Sequence, residues 1–208
     1  MNISLSYIHF HYIWFSKLCC GVLASGYNFS MENHALKELS IPRWEELPDL
    51  DLYMDQVLSY INSRLEPLSI GEEKTVLTSS MVNNYVKTNI VKPPVKKHYK
   101  RYHLAYLFVV MLMKRCFSLS EIGDLIRIYS DIENPERIAR DYNKFVSVFE
   151  SSLRRTLKEG SDSQIYFEKP NPEQILMLSV IHTLTSKIYA QAGIQEHKAR
   201  ERNEGIPG

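Results

Sequence analysis

Thr78-Ser79-Ser80-Met81-Val82-Asn83-Asn84-Tyr85-Val86-Lys87-Thr88-Asn89 reads as one short helix with two unlike faces. The hydroxyl residues Thr78, Ser79 and Ser80 suit a helix start, where a side-chain oxygen takes up an amide of the first turn. Met81, Val82, Tyr85 and Val86 form an apolar stripe. Ser80, Asn83, Asn84 and Lys87 fall at i, i+3, i+4 and i+7, so they share the opposite face. Asn89 tolerates left-handed backbone and is a plausible stop. The apolar stripe needs other helices to cover it, which sets the fold class as all-α.

Outward from this helix the pattern stays helical. Lys92-Pro93-Pro94-Val95-Lys96-Lys97-His98-Tyr99-Lys100-Arg101 is forced into an extended turn by its prolines and is the one place for a short β element. A longer apolar helix is expected from about Tyr102 to Arg115. It is too short and too closely flanked by charge to span a bilayer. Ser118-Leu119-Ser120-Glu121 has the form of a capping box and starts a helix with Ile122, Leu125, Ile126 and Tyr129 facing inward. Asn134-Pro135 and Asn171-Pro172 each pair a cap with a first-turn proline. They open two long C-terminal helices. The first carries Ile138, Tyr142, Phe145, Phe149, Leu153 and Leu157. The second carries Ile175, Leu178, Ile181, Leu184 and Ile188, and its apolar face is wide enough for a dimer seam or a bundle centre.

On the other side, residues 31–73 hold ten Asp/Glu and three Lys/Arg. Ile41-Pro42-Arg43-Trp44-Glu45-Glu46-Leu47-Pro48 reads as an extended arm with Trp44 docked on the core. Asp49 or Asp51 is expected to cap a helix over about Leu50 to Leu65, which Pro67 and Gly71 end. Residues 1–30 are apolar and carry Lys17 as their one charge. They lack the basic start of a signal peptide, and polar residues interrupt any membrane span. Translation is expected to begin at Met31, with this leader outside the native fold and no membrane partner. The expected divisions are thus 1–30 leader, 31–73 acidic arm and helix, 74–130 DNA-binding region, 131–194 C-terminal helices and 195–208 frayed tail.

Charge narrows the function. Lys74 to Ser120 contains no Asp or Glu but carries Lys74, Lys87, Lys92, Lys96, Lys97, Lys100, Arg101, Lys114 and Arg115. That is +9 within a chain of formal charge +1, so the remainder carries −8. Such asymmetry points to a polyanion, or to an acidic surface of the same fold or of a partner protein. The three cysteines form no disulfide framework, which suits a reducing, cytoplasmic setting. There is no Gly-rich phosphate loop, His-Glu-x-x-His, paired-cysteine metal site or nucleophile elbow, so neither an enzyme nor a cofactor is expected. His103 and His182 fit helix interiors or boundaries better than they fit catalytic bases.

Two function classes follow. One is binding of double-stranded DNA: Ser80, Asn83, Asn84 and Lys87 turned to the major groove, Lys96, Lys97, Lys100 and Arg101 on the backbone, and Tyr85 and Tyr99 as hydroxyl donors to phosphate. In the bland alternative Asn83 and Asn84 turn a loop, while Tyr85 and Tyr99 place their rings in the core. Two-fold dimerisation through the C-terminal helices would make the protein a homodimer. The other class is a protein-interaction adaptor docking through the same basic surface.

The run Met81 to Pro93 resembles the recognition helix and turn of MerR-type regulators, in which Thr-Leu-Arg-Tyr-Tyr leads through polar residues to Gly-Leu-Leu and a proline. Asn89 stands where that family has Gly, while Tyr99 and Phe117-Ser118-Leu119-Ser120-Glu121-Ile122 fill its later motif positions. The wing here is shorter. The helix expected just before Val76 has no room, which leaves the one ending at Leu65 to take its place. The resemblance implies a winged helix-turn-helix followed by two long helices, and sequence-specific transcriptional regulation. Over almost everything after Met31 the chain is more similar to a bacterial family, the domain of unknown function 1836. Pro42-Arg43-Trp44, Leu47-Pro48-Asp49, Asn83-Asn84-Tyr85-Val86-Lys87 and Lys96-Lys97-His98-Tyr99 carry that likeness, which implies no biochemistry.

Overall fold

The computed structural model describes residues 34–71, 74–129, 135–160 and 167–204. The leader 1–30 and the cap Asn134 lie outside the described residues. The described residues form an all-α fold: α1 His34–Lys37, α2 Met54–Leu65, α3 Ser79–Lys87, α4 Arg101–Met113, α5 Leu119–Tyr129, α6 Pro135–Glu159 and α7 Pro172–Glu204, with short 3-10 turns at Trp44–Glu46 and Glu66–Leu68. No helix among the described residues is long and apolar enough to cross a membrane.

α4 is the centre. Every residue from His103 to Met113 is buried except Val109, which is half-buried. A helix apolar on all sides must be enclosed, and α2, α6 and α7 pack against it. α6 and α7 lie side by side and run in the same direction. Lys144 meets Phe167, Ser152 meets Thr185 across a 3.4 Å hydroxyl pair, and Gly160 lies beside Tyr189. The far end of α7 reaches Gly71, whose φ of +62° favours glycine and where a Cβ would run into the Gln195 side chain.

Local signals explain both ends of α3 and the starts of α5 and α7. Thr78 Oγ1 accepts from the Met81 amide at 3.4 Å. At the other end of α3, Asn89 sits at φ +57°. The Ile90 amide donates to the Tyr85 carbonyl at 2.9 Å, and the Asn89 amide to Val86 at 3.1 Å, a Schellman stop with Ile90 buried behind it. Ser118 and Glu121 form the reciprocal box, as do Asn171 and Gln174.

Three expectations are corrected. α2 starts at Met54, not Leu50. Its cap is Tyr53, whose amide donates to Gln56 Oε1 at 2.9 Å, because Leu52 is drawn into backbone pairing with Tyr99 and Asp49 into an ion pair with Arg101. The polar end of α7 stays helical to Glu204, where pairs such as Glu196–Arg200 at 2.8 Å support an exposed helix at i, i+4. Ile175, expected on the buried face of α7, is 52% exposed, whereas Ile181, Leu184 and Ile188 are fully buried.

The acidic arm becomes a strap on α6. The Ile41 amide and Arg43 Nη2 each donate to Glu150 at 2.7 Å, and Glu150 is 4% exposed. The Tyr142 hydroxyl donates to the Pro42 carbonyl at 2.7 Å, and the Trp44 amide to Asn143 Oδ1 at 2.7 Å. Burial pushes the Tyr142 phenol well up, so it remains a donor. Trp44 packs half-buried on the core.

Candidate nucleic-acid interface

The two faces of α3 separate as their spacing requires. Val82 and Tyr85 are buried, and Ser80, Asn83, Asn84 and Lys87 are exposed. The side chains of Asn83, Asn84 and Lys87 make no hydrogen bond or ion pair among the described residues, while the Ser80 hydroxyl pairs with Thr78 Oγ1 at 3.0 Å. Asn62 sets the entry to the helix. Its amide nitrogen donates to the Leu77 carbonyl at 3.0 Å, and its oxygen accepts the Leu77 amide at 2.7 Å. α2 is therefore the helix that positions α3. Residues 66–78 separate the two, a longer connection than the three or four residues of an ordinary helix-turn-helix.

After α3 the chain makes a miniature hairpin. Val95 and His98 exchange backbone hydrogen bonds of 3.1 and 2.9 Å across Lys96-Lys97. Lys96 has φ +51° and Lys97 φ +66°, the pattern of a type I′ turn that usually draws Asn and Gly. Two lysines in left-handed backbone carry strain that the flanking pairing has to hold. Both stand exposed at the tip. Leu52 and Tyr99 exchange backbone bonds of 2.9 and 2.8 Å, which ties the hairpin to the arm before α2.

His103 braces the base of this turn. It is fully buried. Its Nδ1 accepts the Lys100 amide at 2.8 Å, so Nε2 carries the proton and faces the Pro93 carbonyl at 3.4 Å. The ring lies 5.4 Å from Tyr99 and 4.0 Å from Tyr102. Burial lowers its proton affinity below the ordinary histidine value. The sequence pattern marked His103 as an interior or boundary residue but did not reveal this brace. The signal was its position three residues after the cap Lys100, where a side chain reaches back to the cap amide.

The remaining candidates divide. Lys100 is exposed, whereas Tyr85 and Tyr99 are each 3% exposed and belong to the core. Burial raises both phenols. Arg101 is drawn back: it pairs with Asp49 at 3.2 Å and lies 5.9 Å above the Trp44 ring. Arg115, counted in the acid-free stretch, is buried, with Nη1 donating to the Leu68 carbonyl and Thr75, and Nη2 to Gln191. Cys116 falls in the turn after α4, half-buried. Lys74, Lys92 and Lys114 are exposed as well, so the basic surface keeps its lysines and loses Arg101 and Arg115 to the fold.

The model of a domain of unknown function, DUF1836, matches residues 42–145, half of the chain. No curated protein and no solved structure matches it. The matched span opens at Pro42, whose carbonyl accepts the Tyr142 hydroxyl near the other end. It thus encloses the hairpin and the strap from Pro42 on, with its Tyr142 and Asn143 anchors on α6, while Ile41 and Glu150 lie outside it. The chain belongs to the DUF1836 family.

Proposed function

We propose that this chain is a DNA-binding regulator that lays α3 in the major groove of duplex DNA and sets the Lys96-Lys97 tip on the flanking phosphates. The observation that carries this reading is the pairing of two exposed features from adjacent segments. One is a polar helix face whose Asn83, Asn84 and Lys87 side chains have no internal partner among the described residues. The other is a rigid turn that presents two lysines. Asparagine can bond an adenine edge with both its amide atoms. Lysines on phosphates release counterions and supply affinity independent of sequence. Lys100 adds to the backbone contacts, while Arg101 acts from behind by holding Asp49 and Trp44 at the base.

The protein works in this reading as a cytoplasmic homodimer, with no catalytic step. Ile175 and Leu176 on α7, 52% and 38% exposed, are the seat of the two-fold contact. α2 and α3 then serve as a helix-turn-helix with a lengthened connection, and the hairpin as its short wing.

The test is fluorescence anisotropy with labelled duplexes, before and after Lys96→Gln/Lys97→Gln and Asn83→Ala/Asn84→Ala. The lysine change should weaken all duplexes alike and flatten the salt dependence. The asparagine change should relax preference among duplexes while sparing non-specific affinity. Retention of an acidic protein with no preference among duplexes would favour the adaptor reading instead.

A further inference from the structure

Between α4, α5, α6 and α7 lies a cavity of about 470 Å³, within the range of about 300–1,000 Å³ typical of small-molecule sites. None of its lining residues belongs to α3 or to the hairpin. Val109, Met113, Ile126, Phe145, Met177 and Val180 form apolar walls. Protein interiors are packed to crystal density, so a void among such side chains forfeits contacts that an apolar guest would restore.

The polar groups around the cavity are already answered. The Tyr129 hydroxyl donates to the Glu173 carbonyl at 2.5 Å. Its phenol is pushed up to about 12, chiefly by burial, so it keeps its proton for that bond. The Tyr142 hydroxyl donates to the Pro42 carbonyl at 2.7 Å, and Asn171 and Gln174 cap one another. Asp141 accepts from Arg140 Nε at 3.0 Å, and Tyr106 and Arg137 are engaged within the chain as well. Arg137, Arg140, Lys144 and Glu173 are exposed, so their charges stay solvated at the rim. A charged guest would give up water inside these walls without gaining a partner, which is costly. A neutral apolar guest meets no such cost, as apolar cavities that stay dry take up apolar molecules.

We propose that the cavity binds a compact, neutral apolar molecule, enclosed by Val109, Met113, Phe145 and Met177. The site is separate from the α3 face, and its test reads occupancy directly, so it stands or falls apart from DNA binding.

The test is a titration of the full chain, isotopically labelled at its methionine methyls, followed by nuclear magnetic resonance. The probes are 1-adamantanol, 1-adamantanecarboxylate and 1-adamantylammonium, which share one apolar cage and differ in charge. The alcohol should shift the Met113 and Met177 methyl signals and leave those of Met54 and Met81, which lie outside the lining, in place. Both ions should bind weaker by about tenfold or more, since each must desolvate a charge that finds no partner. Val109→Trp should fill the space and abolish the shifts. If that variant melts early, the signals of the native chain decide alone. No movement of Met113 and Met177, equal movement of Met54 and Met81, or equal affinity for the three probes would each overturn the assignment.

Discussion

The strap and the hairpin both carry cations, and they treat them in opposite ways. Arg43 on the strap is answered within the chain by Glu150, which also accepts the Ile41 amide and faces Arg154 at 3.6 Å. Lys96 and Lys97 on the hairpin tip stand in strained backbone, exposed, with no ion pair among the described residues. Burying a charge is costly unless it is paired and hydrogen-bonded, so the strap's chemistry is spent on holding the fold. A turn that keeps lysines where Asn and Gly would be easier gives up stability. The difference sorts the basic residues of this sequence. Arg43, Arg101 and Arg115 bond within the fold, and Lys87, Lys96, Lys97 and Lys100 stand exposed, the set that the proposed DNA contact uses.

Changes on each side should break different properties. Neutralising Lys87, Lys96, Lys97 and Lys100 together to Gln should have the largest effect. Duplex affinity should fall about a hundredfold or more at low salt, and the slope of log affinity on log salt should shrink by about 0.9 for each phosphate that is no longer neutralised. Thermal stability should barely move. On the strap, Glu150→Ala should cost about 3 kcal/mol in denaturant unfolding, because it leaves a buried amide and Arg43 without their acceptor. DNA affinity per folded molecule should be unaffected. If the lysine variant unfolds the protein instead, or Glu150→Ala leaves stability intact, the division is wrong.

Smaller effects sharpen it. Asn83→Ala or Asn84→Ala should remove about 1–3 kcal/mol of discrimination at one or two base pairs, read by competition among duplexes. His103 gives a pH dependence. Its folded proton affinity lies below the unfolded value of 6.5, so the unfolded chain takes up the proton first. Its contribution to stability is therefore complete above pH 6.5 and declines as pH falls from there towards the lowered folded value, by at most about 1.4 kcal/mol per pH unit. Unfolding curves for the native chain and His103→Leu should differ in this slope over that window. Finally, Lys96→Asn/Lys97→Gly should stabilise the fold by about 1 kcal/mol by suiting the left-handed turn, while weakening duplex binding. Opposite signs from one double change would show that the turn trades stability for binding.

Much of the helical frame was legible because its signals are local. Thr78, Asn89, Ser118 with Glu121, and Asn171 act on backbone groups within a few residues, and the buried stripe of α6 follows directly from helical spacing. What could not be read depends on partners distant in sequence. Asp49 looks like a cap until Arg101 arrives beside it, and the start of α2 shifts because Leu52 pairs with Tyr99. Arg115 reads as surface charge until Thr75 and Gln191 close over it. At the candidate interface, the exposed stripe on α3 and the lysine-rich turn were visible. The positive φ of Lys96 and Lys97 and the grip of His103 on Pro93 and Lys100 were not, since no lysine propensity favours that turn.

Whether α3 reads sequence is the central question. Random duplexes should be selected on the purified full chain through several rounds and sequenced, in parallel with Asn83→Ala/Asn84→Ala. The expected result is that one motif emerges with the native chain and that the double variant retains DNA but loses or blurs that motif. Retention without any motif, or the same motif from both proteins, would contradict a reading role for α3.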